Sequence, residues 1–170
     1  MSTLIAVVTT GALYAVAMVL AIRFLPMTPR RWHINPEHPA RSGSPNDFHL
    51  TACAAHPMGD QMAGTYDLPF ESLCHLLEEA ALAEPRTRRI AGDQMLGHIT
   101  LVQGSRLMGY PDAITIMTQP INLGDTDPTS TVTVFSRSRY GRSDHGVNRT
   151  RMQRWLAEAS PFLSDPQPKI

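Results

Sequence analysis

Thr131-Val132-Thr133-Val134-Phe135-Ser136-Arg137-Ser138-Arg139-Tyr140-Gly141-Arg142-Ser143-Asp144 decides the fold class, because it passes from a two-residue alternation through a turn to a helix start. Side chains of an extended chain alternate, so Val132, Val134, Ser136 and Ser138 share one face and Thr131, Thr133, Arg137 and Arg139 the other. The valines choose the core side. Arg137 and Arg139 then project from the opposite face about 7 Å apart along the strand, close enough to hold one anionic group between them. Gly141 supplies the turn, and Ser143 or Asp144 caps the helix by accepting from the N–H groups of its first turn. Along that helix, to about Ala159, Asn148, Met152, Trp155, Leu156 and Ala159 fall on one side and Arg151, Arg154 and Glu158 on another. Asn148 therefore points inward, where an amide pins a neighbouring loop by hydrogen bonds.

Working outward, Phe70, Leu73, Cys74, Leu77, Ala80 and Ala81 fall on one stripe at helical spacing, with Asp67 as a cap, Pro69 in the first turn and Pro85 as the stop. Ile90, Gly97–Gln103, Ala113–Met117 and Thr131–Arg139 are rich in Ile, Val and Thr and separated by turn residues, which predicts antiparallel strands. Helix, strands, helix is an α+β order: an antiparallel sheet of about four to five strands with two helices packed on one face. Residues 65–160 form this domain. Before it, residues 26–64 carry Pro26, Pro29, Pro36, Pro39, Pro45 and Pro57 and show no periodic apolar face, so they form a linker or a wrapping segment. Trp32 is placed at a headgroup interface in preference to docking on the domain. Residues 161–170 form a Pro-rich tail.

Leu4 to Ile22 contains no charged residue, and with Phe24 and Leu25 the run is long enough to cross a hydrocarbon core of about 30 Å. Residues 1–25 are read as a transmembrane anchor, because only Met1, Ser2 and Thr3 precede the run and no small-x-small cleavage pattern closes it. Arg23, Arg30 and Arg31 follow the span, a bias that keeps the downstream domain cytoplasmic. There Cys53 and Cys74 stay reduced; on the exported side they could pair. In the whole chain of 170 residues, 15 basic residues balance 15 acidic ones, which argues against a nucleic-acid binder.

The run Ser136 to Arg151, read as Ser-Arg-Ser-Arg-Tyr-Gly-Arg-Ser-Asp-x-Gly-Val-Asn-x-x-Arg and followed by Trp155-Leu156, resembles the uncharacterised family known as domain of unknown function 1499 (DUF1499). Gly104-Ser105-Arg106-Leu107-Met108-Gly109-Tyr110-Pro111-Asp112 is similar to a second block of that family, and Pro85-Arg86-Thr87-Arg88-Arg89 to a weaker third. The resemblance covers about Thr65 to Ala159. It implies a bacterial-type membrane-associated or exported protein, here a single-pass inner-membrane protein, and brings no established activity or cofactor. Cysteines near the domain entry of some relatives are not matched around Ser44-Pro45-Asn46, and His145 stands where an apolar residue is expected.

The candidate site is an arginine cluster, Arg137, Arg139, Arg142, Arg106 and Arg151, with Asp144, Gly146 and Asn148 as its structural motif. Its expected partners are a lipid membrane and an anionic ligand or protein. The competing structural role for the arginines is pairing with Asp112, Asp144 or Glu158. A non-enzymatic, membrane-tethered binding domain follows from the cluster, with two alternatives. One is a small hydrolase or metal-dependent enzyme built on His49, Cys53 and His56, with Cys74 or His75 as a fourth ligand. The other is a structural subunit of a membrane complex. Ser143, Asp144 and His145 do not make a triad, because adjacent residues at a helix start diverge by about 100°.

Overall fold

In the computed structural model, which describes residues 2–41, 43, 45–52, 59–106, 108–121 and 127–164, the alternating stretch becomes an inner strand of the sheet. The chain runs α1 (Ser2–Phe24), α2 (Pro29–Trp32), β1 (Asp47–Thr51), β2 (Gln61–Met62), α3 (Phe70–Ala83), β3 (Thr87–Asp93), β4 (His98–Gly104), β5 (Pro111–Pro120), β6 (Ser130–Ser138) and α4 (Val147–Glu158). The fold is α+β. The described strands form one six-stranded sheet in the order β2-β1-β6-β5-β4-β3, antiparallel except for the β1–β2 pair.

The sheet is therefore larger than the expected four to five strands, and mixed. Its two additional strands come from the Pro-rich stretch, so the sheet begins well before Thr65. β1 pairs with β6 through Phe48↔Ser136 and Leu50↔Val134, which sets Phe48 and Leu50 on the face of the valines. A five-residue strand with two apolar positions is too short to stand out among prolines.

Both helices pack on that face. Leu73, Cys74, Leu77 and Ala81 of α3, with Met152 and Trp155 of α4, close over Leu50, Ile99, Leu101, Ile114, Ile116, Val132 and Val134. These side chains are buried, and each branched aliphatic or aromatic one among them contributes roughly 1.5–3 kcal/mol relative to exposure. α3 starts behind Pro69 without a side-chain cap. Asp67, expected as the cap, accepts instead from the Ser164 hydroxyl, tying the C-terminal turn to the domain.

The opposite face is covered by the chain that follows α1. Met27 and Trp32 bury themselves on Val102 and Ala113, with Ile90 at the edge. Trp32, 5% exposed, docks on the domain rather than at a headgroup interface, because Val102 and Ala113 leave an apolar floor for it on this face of the sheet. Beyond it, the Trp32 carbonyl accepts from the Thr115 hydroxyl and the Ile34 carbonyl from the His98 ring. Residues 26–38 thus form a strap across the sheet. Within α1 the 22-residue span Thr3–Phe24 reaches a mean hydropathy of 2.3 over 18 residues, none of them buried, and is long and apolar enough to cross a membrane.

Candidate functional site

Strand register collects the candidate arginines at one end of the sheet. Thr87, Gln103, Asp112 and Ser138 lie in one cross-strand row there, and Arg88, Val102, Ala113, Arg137 and Asp47 in the next. Alternation turns the second row towards the strap. Arg88 and Arg137 therefore flank the Val102–Ala113 floor on which Met27 and Trp32 rest. One position further along, the Arg86 carbonyl accepts from Gly104 N–H and the Pro111 carbonyl from Arg139 N–H, which extends the pattern to Arg86 and Arg139. The β4–β5 loop bearing Arg106 and the turn bearing Arg142 lie at this same end, where α1 meets the domain.

Arg137 and Arg139 do occupy the face opposite the valines, but they do not stand open as a two-pronged anion site. The Arg137 guanidinium carbon lies 4.6 Å from the Trp32 ring centroid, and its Nη2 donates to the Arg31 carbonyl at 3.4 Å. Burial, then the nearby Arg31 charge, push its pKa down, with Asp47 opposing. Arg139 donates to the carbonyls of Leu25 and Pro26 at 3.1 Å each, and packs on the Tyr140 ring at 5.2 Å. Both guanidiniums clamp the strap. Their contact partners are carbonyl dipoles and aromatic faces, and neither forms an ion pair within 4.0 Å among the described residues.

Arg151 departs furthest from expectation. It is 2% exposed, its Nη2 contacting Asp112 at 2.6 Å, its Nε donating to Gln103 at 2.6 Å and its Nη1 to Asn148 at 2.9 Å. Helical periodicity set it outside. The sheet face under α4 ends in Gln103, Asp112 and Ser136, however, so the helix turns a guanidinium inward to satisfy them. Asn148 points inward as expected: its Oδ1 accepts from Ser136 and Arg151, while its Nδ2 donates to the Asn46 carbonyl and pins that loop.

Asp144 accepts from the backbone N–H groups of Gly146 at 3.0 Å and Asn148 at 2.8 Å. The helix start thus carries its own carboxylate and is no vacant anion site. Gly146, at φ +79°, allows the turn that brings those donors to Asp144. Ser143 accepts from His145 N–H, so the Ser143-Asp144-His145 run is a turn motif.

The remaining arginines are open. Arg86, Arg88, Arg106 and Arg142 are exposed, and among the described residues no carboxylate lies within 4.0 Å of any of them, nor of Arg23, Arg137 or Arg139. The described acids at this end are already engaged: Asp47 with Arg41, Glu84 with Arg154 and Asp112 with Arg151. Arg23, Arg86 and Arg88 also line one cleft with Phe24 and Met27. The sequence alone does not reveal that grouping, because nothing local ties Arg86 and Arg88 at a strand start to Arg23 at the end of a distant helix.

The family model described as "Protein of unknown function (DUF1499)" matches residues 41–158, more than half of the chain. The chain belongs to the DUF1499 family. The match takes in all six strands and both packed helices and leaves α1 and the strap outside. It starts at Arg41, ahead of the expected Thr65, because β1 and β2 are part of it. No curated protein and no solved structure matches the chain.

Within the DUF1499 domain, Cys74, one of the two fourth-ligand candidates, is placed away from His49. The His49 Nε2 donates to the Pro36 carbonyl under the strap, whereas Cys74 is buried on the helix-covered face. The sheet separates them. His75 lies on α3, beside Gln94 and Glu79. Cys53 and His56 fall outside the described residues, and among those described no three His, Cys, Asp or Glu side chains converge on a metal position. Burial pushes the Cys74 thiol up to about 11, so it is a core side chain and not a nucleophile.

Proposed function

We propose that this DUF1499 protein is a single-pass, non-enzymatic membrane protein whose soluble domain engages anionic headgroups through the arginine end of its sheet. One observation carries the reading: Arg86, Arg88, Arg106 and Arg142 stand without described carboxylate partners at the end where an apolar, membrane-length helix enters the domain. Arg139 holds the carbonyls of Leu25 and Pro26, so little free chain separates helix from domain. Each arginine near an anionic surface gains about 1 kcal/mol, enough for four to orient the domain at low salt. Arg23 in the last turn of the helix, with Arg30 and Arg31 just beyond it, favours the cytoplasmic side of a bacterial inner membrane.

The test uses the full chain in nanodiscs of phosphatidylcholine with or without phosphatidylglycerol, read by hydrogen exchange. The backbone around Arg106 and Arg142 gains protection with phosphatidylglycerol, loses it in about 0.5 M salt and loses it in R106Q/R142Q. Equal protection in the two lipids sinks the proposal. A reporter fused at the C-terminus reads the side of the membrane.

A further inference from the structure

We infer that the cleft between the end of α1 and the start of β3 is a binding site for the phosphate of one anionic phospholipid; this rests on the headgroup reading above and specifies where a single lipid is held. Arg23, Arg86 and Arg88 line the cleft with Phe24, Met27 and Gly109. Three arginines thus line a cleft with an apolar wall at the end of a membrane-length helix, a composition that matches a phosphodiester at the root of its acyl chains. The cleft measures about 180 Å³. That is below the roughly 300–1,000 Å³ of pockets that enclose a whole small ligand, and suits a phosphate whose ester arms leave through the opening.

Two backbone features shape the site. Arg86 adopts φ +63°, a left-handed conformation that residues other than glycine rarely take, and its Nε donates to the Gly104 carbonyl at 3.0 Å. Its side chain is thereby held across the end of β4. Gly109, at φ +69°, lets Arg23 lie against the β4–β5 loop: a Cβ there would sit 3.1 Å from Arg23 Cγ and 3.2 Å from Cδ. The arginine at the last turn of α1 is thus laid against the domain. Arg23 and Arg88 have no described carboxylate within 4.0 Å, and Arg86 has only a neutral carbonyl partner.

The full chain in uncharged micelles, titrated with phosphatidylglycerol, phosphatidylcholine or inorganic phosphate and read by native mass spectrometry, tests this. One phosphatidylglycerol binds per chain, about tenfold more tightly than phosphatidylcholine, and R86Q/R88Q removes that preference. R23Q, outside the sheet, weakens binding in the same direction should the double variant fold poorly, and R154Q, on α4, leaves it unchanged. Absence of a stoichiometric complex, or no effect of R23Q and R86Q/R88Q, overturns the site. Inorganic phosphate binding as tightly as the lipid overturns the commitment to a lipid. Loss in R106Q/R142Q as complete as in R86Q/R88Q assigns the lipid to the wider arginine end and overturns the cleft alone. A one-to-one complex lost only in the cleft variants, with no exchange protection around Arg106 and Arg142, keeps the cleft and sinks the broader surface.

Discussion

Arg137 lies across the ring of Trp32, its guanidinium carbon 4.6 Å from the ring centroid, so the strand that displays the signature arginines holds down the chain leaving α1. Trp32 is buried on Val102 and Ala113, and Arg137 covers its ring. Replacing Trp32 by Ala costs about 3–5 kcal/mol, and Arg137→Gln, which loses the cation–π contact but keeps a long stem, about 0.5–2 kcal/mol. Urea unfolding of the full chain in micelles measures both. A Trp32→Ala midpoint equal to wild type contradicts the docked strap.

Arg151 and Asp112 form a buried ion pair at 2.6 Å that also satisfies Gln103 and Asn148. Removing one partner strands the other charge in the core, so R151M alone costs about 3–5 kcal/mol. R151M/D112L recovers a large part of that loss because the uncompensated charge is gone. A double-mutant cycle on the unfolding free energy measures the coupling. Strict additivity of the two substitutions rules out the pair as the organiser of this end of the core.

The difference between Arg137 and Arg151 marks how far the sequence could be read. Face assignment on β6 follows from a two-residue period, so the sides of Val132, Val134 and Arg137 were legible, as were α3 and the strand at Gly97–Gln103. Arg151 was not, because its partners Gln103 and Asp112 come from strands far away in sequence and only their pairing creates a polar end to the core. β1 and the strap were hidden for the opposite reason. Their burial depends on Val102 and Ala113 providing a floor, while their own residues carry no period. Arg23 and Arg86 meet only because α1 enters where β3 begins, a relation of topology with no local trace.

Cys74 is fully buried, and its thiol is pushed up to about 11, chiefly by burial, so it resists alkylation while the domain is folded. In C53S, iodoacetamide at pH 8 leaves Cys74 unmodified, and labelling in urea follows the unfolding curve. Native labelling at the rate of a free peptide thiol contradicts the packed position of α3.

Under the strap, the His33 and His98 rings stack at 4.0 Å, with His33 Nδ1 on the Thr100 hydroxyl at 2.8 Å and His98 Nε2 donating to the Ile34 carbonyl. Burial, followed by the charge of His98, lowers the His33 pKa below its ordinary 6.5. A folded-state value below the unfolded one means that the unfolded chain binds the proton more readily. The contribution is therefore fully present above about pH 6.5 and is lost as the pH falls towards the depressed folded value. Thermal melts of the full chain from pH 7.5 to pH 5 should show a falling midpoint, and H33Q should flatten that part of the slope. An H33Q slope identical to that of wild type removes the stacked pair as the acid-sensitive element of the strap.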